Sequence, residues 1–330
     1  MYDKPYFNYE DLFHRMSQKN IIVDKNPIFV LECLESISYY TLVNGYKDIY
    51  GTYFDSEDNI EKFSVKVNFD ELYSLASIDA SLNSVFFKYI IYVEKSLKTK
   101  LSHIVAREYG EGMNDYLDFK HYKNHSQLDR MTEVNNIKAQ IIRSKNASLK
   151  HYRSYRNHIP PWIGVNGIYF GSAINWYKIL QPVFKTEIVL AFFKHSRLDQ
   201  IADKKELFIS CLSLLQTYRN NIAHGNRTFQ STITKELPKK ALLKAIPSTV
   251  LTSKEYDSGV GKKDLFAVIV SIVMLMNNRY LLQSLELDLR TVLQPYEDTL
   301  LSNEKYVMAT LGLPNDVLKR IEILRIEKFQ

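Results

Sequence analysis

The sequence predicts an all-α protein, and three observations carry that reading. The 330 residues include only 11 glycines and 9 prolines, about 6% of the chain where about 12% is average. Such a chain lacks the turns that a many-stranded sandwich or barrel needs at short, regular intervals. Apolar residues recur every three or four positions over long stretches, as they do on helices with one buried face. Hydrophobic residues make up 45% and charged residues 24%, which is ordinary globular usage and excludes a disordered or collagen-like chain.

Residues 1–68 read as an N-terminal helical segment. Asn26-Pro27 is a helix start: a capping side chain followed by a proline, whose missing N–H costs nothing at the first position. Ile28, Leu31, Leu34, Ile37 and Leu42 give that helix its stripe to about Asn44, and Gly45 stops it. Residues 51–68 are polar, with Val65-Lys66-Val67 alternating, and fit a loop or a short strand pair. Residues 69–330 read as the main helical domain. From Phe69 to Tyr109 a stripe through Leu72, Leu82, Val93 and Ile104 meets no Gly or Pro before Gly110. That predicts one helix of about forty residues, or two with a bend. Pro160-Pro161-Trp162 breaks the chain, and helices resume to about Phe193. Lys204–Ala223 is another helix. Residues 225–263 look like a loop insertion. Leu265–Leu289 reads as a final long helix, with a short one after Pro314.

The net charge is a mild +6, and the two cysteines, Cys33 and Cys211, are far apart. A disulfide scaffold or zinc ribbon is therefore excluded, and both side chains are expected in the core. The longest apolar run, Leu265–Met276, contains Ser271 and is well short of the ~20 residues of a membrane span. The N-terminal residues lack a basic-then-apolar signal pattern. A soluble, cytoplasmic chain without membrane association is expected.

Charge is concentrated in the basic insertion, residues 120–156. Lys or Arg stands at nine positions there against only Asp129 and Glu133, with Tyr122, Tyr152 and Tyr155 interleaved. This is either a solvated helix face or a surface that tracks phosphates and stacks bases. Lys145, Lys150, Arg153 and Arg156 are its candidate RNA-binding residues.

The candidate catalytic motif is Arg219-Asn220-Asn221-Ile222-Ala223-His224, at the end of an apolar helix. Asn220 and His224 are four apart and share a face. Arg219 must converge through its long side chain or through unwinding near Gly225. Read as composition alone, the motif also fits a polar helix end whose C-terminal His is favoured by the macrodipole.

R-x4-H with Asn after the Arg resembles the signature of HEPN ribonucleases. The rest of the chain is similar to the Abi (AbiD/AbiF-like) abortive-infection family of that clan. Matching stretches run in order: Lys4-Pro5, Ile37–Tyr40 with Gly45-Tyr46, Phe69 to Asp79, Tyr92-Val93-Glu94 with Leu97, His151-Tyr152, Pro161-Trp162, Phe170-Gly171, Tyr218–His224 and Leu311–Pro314. Gly225 stands where the family often has a second His, Ile222 where it often has Cys, and Lys98 where it usually has Arg. The resemblance implies a HEPN-type helical bundle with N-terminal and inter-helical elaborations. It implies a metal-independent endoribonuclease of phage defence, with Arg219, Asn220 and His224 catalytic and no cofactor. RNA is the implied substrate, and the single motif implies a homodimer that pairs two copies. The alternative is a non-catalytic RNA-binding module that holds a noncoding RNA or a partner protein; a further variant is a toxin silenced by such a partner.

Other signals are weaker. Arg153–His158 repeats the R-x4-H spacing, but no apolar stripe leads into it. His121 and His125 have the spacing of metal ligands but no third ligand, so no metal site is assigned. Gly259-Val260-Gly261-Lys262 lacks the phosphate-loop pattern. Glu94 lies on the stripe of the long helix, either facing the Arg219 motif or in a structural ion pair.

Overall fold

The computed structural model describes residues 6–23, 27–223, 227 and 233–329. It is all-α apart from short strands. Residues form two compact units: 1–84 with 289–316, and 85–288 with 317–330. The sequence reading set its boundary at 68/69; the units divide inside the long helix, between Ser84 and Val85.

In chain order the first helices are α1 (Tyr9–Gln18), capped by the Asn8 side chain, and α2 (Pro27–Ser36). The cap expected at Asn26 lies outside the described residues. The helix expected to reach Asn44 ends at Ser36, and a wider turn follows at Tyr40–Asn44. Ser38 explains the break, because its Oγ takes the backbone N–H of Thr41 and bonds the Thr41 hydroxyl at 3.0 Å. Such a bond competes with helix continuation.

Strands β1 (Ile21–Ile22), β2 (Thr52–Asp55), β3 (Ile60–Phe63) and β4 (Val67–Asn68) complete this part of the chain. β2 and β3 form an antiparallel hairpin, the strand pair that residues 51–68 allowed, and β1 pairs in parallel with β4. Helix α3 (Phe69–Tyr109) is unbroken over 41 residues. In the first unit Glu71 of α3 ties sequence-distant segments together. Its carboxylate accepts from the Tyr50 hydroxyl at 2.7 Å and from the Ser302 backbone N–H at 2.8 Å.

The second unit holds α4 (Arg130–Arg143), α5 (Ala147–Tyr155), α6 (Phe170–Ile179), α7 (Pro182–Phe192), α8 (Ile201–Ala223), α9 (Lys239–Ala245) and α10 (Leu265–Leu275). Helix α11 (Arg279–Leu293) begins in this unit, and α12 (Val317–Glu327) closes it. Asp129 and Asn146 cap α4 and α5 with their side chains. No helix of the described residues is long and apolar enough to cross a membrane.

Two expectations change here. The insertion at residues 225–263 carries α9 and a helical turn at Ser253–Asp257. That turn starts with a capping box between Thr252 and Glu255, a T-x-x-E signal present in the sequence. The single helix expected over 265–289 is two. Asn278 accepts from the Leu281 backbone N–H at 3.1 Å and starts α11, while Asn277 donates to the Ala191 carbonyl.

All eleven residues of α10 are buried. A helix apolar on every side must be enclosed by the protein, and α8 packs along it. Cys211 of α8 is fully buried and its thiol is pushed up to about 12 by desolvation; Cys33 is buried too. Asp264 caps α10, accepting from the backbone N–H of Ala267 at 2.8 Å and of Gly261 at 2.9 Å. Burial raises this carboxyl to about 6 despite those bonds.

The fold therefore favours protonated Asp264 relative to the unfolded chain, and stability from this group is lost as pH rises. A rise from the ordinary 3.8 to about 6 corresponds to about 3 kcal/mol. Urea unfolding of the wild type should weaken by up to that order between pH 4 and 6.5, relative to Asp264→Asn, which keeps an accepting cap. Identical pH dependence in the two proteins would reject the assignment.

Candidate functional site

Arg219 and Asn220 sit in the last two turns of α8, past its most deeply buried residues, Leu207 to Leu215. Tyr218 fixes the end of the helix, packing edge-on against Phe86 of α3 with ring centroids 5.7 Å apart. Arg219 turns to the side: its guanidinium lies 5.8 Å from the centre of the Phe87 ring, within range of a cation–π contact. Its Nε is buried and has no hydrogen-bond partner among the described residues. One Nη stands 3.5 Å from Asn220 Oδ1, the outer limit of a hydrogen bond. Asn220 is exposed. His224, with Gly225 and Asn226, lies outside the described residues.

A close helix approach supports this end of α8. A Cβ on Gly171 of α6 would stand 2.5 Å from Gln216 Nε2, so the missing side chain lets α6 lie against α8 one turn before Arg219. On α3, Glu94 and Lys98 are both largely buried and pair at 2.6 Å. Lys98 also donates to the Ile168 carbonyl at 2.7 Å. Of the two roles open for Glu94, the structure contains the ion pair, with the lysine that stands where the family usually has arginine.

The basic segment divides by role. Lys145, Lys150 and Arg156 are exposed and, among the described residues, have no carboxylate partner. Arg153 is committed elsewhere: Nη1 donates to the Ile141 carbonyl at 2.8 Å and Nη2 to the Ser144 carbonyl at 2.5 Å. It thus satisfies carbonyls left open at the end of α4. Of the three tyrosines offered as stacking faces, Tyr122 is fully buried and donates to the Tyr116 carbonyl. That corrects the reading of it as a surface residue. Tyr155 is 77% exposed, and its ring lies 5.2 Å from that of His151.

In the second R-x4-H stretch, α5 ends at Tyr155, three residues before His158. His158 is exposed and bonds its neighbour Asn157 at 2.7 Å. His121 stacks on Tyr109 at 4.3 Å. Among the described residues no three or more His, Cys, Asp or Glu side chains converge as metal ligands would.

A family model described as Abi-like protein matches residues 32–230. The chain belongs to the Abi-like protein family. The match spans the basic segment and the whole Arg219–His224 motif, and stops before α9. Membership implies a part in abortive infection, a defence against phage. No curated protein and no solved structure matches the chain.

Arg153 and its exposed neighbours should separate in a stability measurement. Arg153→Met should destabilise by about 1 kcal/mol, the net worth of the bonds to α4, and lower the melting temperature by roughly 2–4 °C. Lys150→Met should leave melting unchanged. Equal melting of the two variants would remove the capping role from Arg153.

Proposed function

We propose that this Abi-like protein is an endoribonuclease of phage defence that cleaves RNA without a metal ion. The observation that carries the reading is Arg219: a cation at the end of a core helix, held over Phe87, with a buried Nε unspent among the described residues. Buried polar groups without partners call for an explanation, and an anionic phosphate supplies one. The guanidinium fork matches phosphate oxygens, and His224 follows Ala223 directly in the chain.

The chemistry is as follows. His224 takes the proton of an RNA 2′-OH, and the freed oxygen attacks the adjacent phosphorus. The bond from phosphorus to the 5′-oxygen breaks, and that oxygen takes a proton from the protonated His224, which returns to its neutral form. The products are a 2′,3′-cyclic phosphate and a 5′-OH. Histidine suits the transfer because its ordinary pKa lies near neutrality. Arg219 stabilises the charge that builds on the phosphorane, and Asn220 orients His224 or the phosphate. Each chain supplies one such motif, so the working enzyme is a homodimer with two motifs across a twofold axis.

A labelled RNA incubated with wild-type and variant protein tests this. His224→Ala should lower cleavage 10²–10⁴-fold, the usual worth of a positioned acid–base group, while RNA binding stays near wild type. Arg219→Ala should lose at least as much, and Arg219→Lys should recover little, since an ammonium lacks the fork. Cleavage should persist in EDTA and leave cyclic phosphate ends, and light scattering should report a dimer. Cleavage that survives His224→Ala, or that EDTA abolishes, would sink the mechanism. Tight RNA binding with no cleavage under any condition would favour the binding module, which the exposed Lys145, Lys150 and Arg156 also fit.

A further inference from the structure

A second group of cations lies where α6 ends and α7 begins, apart from the Arg219 motif and from Lys145, Lys150, Arg153 and Arg156. Lys178 is in the last turn of α6 and Lys185 in the first turns of α7. The Lys185 ammonium donates to the Lys178 carbonyl at 2.9 Å, which folds it back over the corner. The segment carrying Lys123 and His125 is pinned to the same corner: the Lys123 backbone N–H donates to the Ile179 carbonyl at 2.8 Å, and Gln181 donates to the His121 carbonyl. Lys205 of α8 and Lys235, before α9, act on Lys185 and Lys178 through their charge.

These charges act on one another. Burial lowers the affinity of Lys178 for its proton, and Lys235 lowers it further. Lys185 is lowered by burial and then by Lys205 and Lys123. His125 is lowered by burial and by Lys185 and Lys178. Among the described residues none of the five lysines has a carboxylate within ion-pair distance; the pairs there belong to other cations. Glu187 is taken by Arg107, Asp203 by Lys244, and Glu236 by Lys262 and Lys263. Glu133 offsets part of the charge on Lys178 and is itself held by Asn175. Lys178, Lys185 and Lys205 are half-buried, and Lys123 and Lys235 are exposed beside them. Buried lysines are ordinarily paired, so a group of five without a carboxylate partner fits a site whose counterion is a ligand.

The placement bears on which ligand. Lys205 and Arg219 stand on the same helix, fourteen residues apart, about 21 Å along its axis. Helix α6 covers about half of that interval: Gly171 lies against Gln216 one turn from Arg219, and Lys178 is near its other end. The lysines come from α6, α7, α8 and two segments outside helices, an arrangement that suits a backbone passing over them.

We propose that Lys123, Lys178, Lys185, Lys205 and Lys235 anchor the phosphate backbone of a single RNA strand that continues from the phosphate held at Arg219. The identity of the ligand rests on the RNA reading above; the anchor itself is a separate site. It makes the bound strand longer than the cleavage motif alone requires, and it sets a minimum length for tight binding.

The test is fluorescence anisotropy with an unstructured, labelled 20-nucleotide RNA between 50 and 300 mM KCl. Each phosphate contact on a single strand contributes about 0.7 to the slope of log affinity against log salt. Lys178→Gln with Lys185→Gln should therefore flatten the slope by about 1.4 and weaken binding at least fivefold. The loss should vanish on a 2-nucleotide RNA, which is too short to reach both points. Lys205→Gln with Lys235→Gln, on the outer side of the group, should repeat the effect if the first pair folds poorly. Wild-type slope and affinity in both double variants would overturn the anchor, as would inorganic triphosphate binding more tightly than the RNA. If the slope flattens but no RNA is ever cleaved, the anchor stands and the nuclease reading fails. If cleavage depends on His224 and the slopes stay equal, the nuclease reading stands and the anchor fails.

Discussion

The second unit depends on enclosing α10. Its eleven residues present no polar face to water, so every side must be covered. A helix placed that deep also has backbone groups at each end that water cannot satisfy. Asp264 serves one end. Lys328, near the end of the chain, serves the other, with its ammonium donating to the Val273 and Met274 carbonyls at 2.6 and 2.7 Å. Helix α8 is the long partner along that surface, which explains why its middle is apolar on most sides and why polar side chains appear only toward its end.

That arrangement holds Arg219 on a packed helix. A functional group acts best from a helix whose own packing is already fixed. Tyr218 is locked against Phe86 and Gly171 lets α6 close on Gln216, so Arg219 leaves the core from a held backbone. The Glu94–Lys98 pair and its bond to the Ile168 carbonyl brace the neighbouring stretch of α3. The family match over residues 32–230 includes this helix end.

Basic side chains divide between structural and open roles, and composition does not separate them. Arg153, Lys328 and Arg320 each donate to backbone carbonyls, Arg320 to that of Val250 at 2.7 Å. Lys145, Lys150 and Arg156 face water. Of the lysines at the α6–α7 corner, Lys178, Lys185 and Lys205 are partly buried and Lys123 and Lys235 exposed, and none has a carboxylate partner among the described residues. A count of charge per segment ranks residues 120–156 first, yet the most crowded cations come together from separate stretches of chain.

The sequence by itself determined the all-α class, the continuous helical stripe from Phe69 to Tyr109 and the burial of both cysteines. Periodicity and punctuation are local, and these features are written locally. Tertiary structure decided what depends on neighbours distant in sequence. Asn277 and Asn278 divide the last long helix because one finds the Ala191 carbonyl and the other caps a new start. Tyr122 belongs to the core because its hydroxyl reaches the Tyr116 carbonyl from a segment that composition alone marks as surface. Arg153 is taken from the phosphate-binding set because α5 turns back on the end of α4. The lysine group at the corner has no signature in the chain, since its members are up to 112 residues apart and only folding brings their charges within reach of one another.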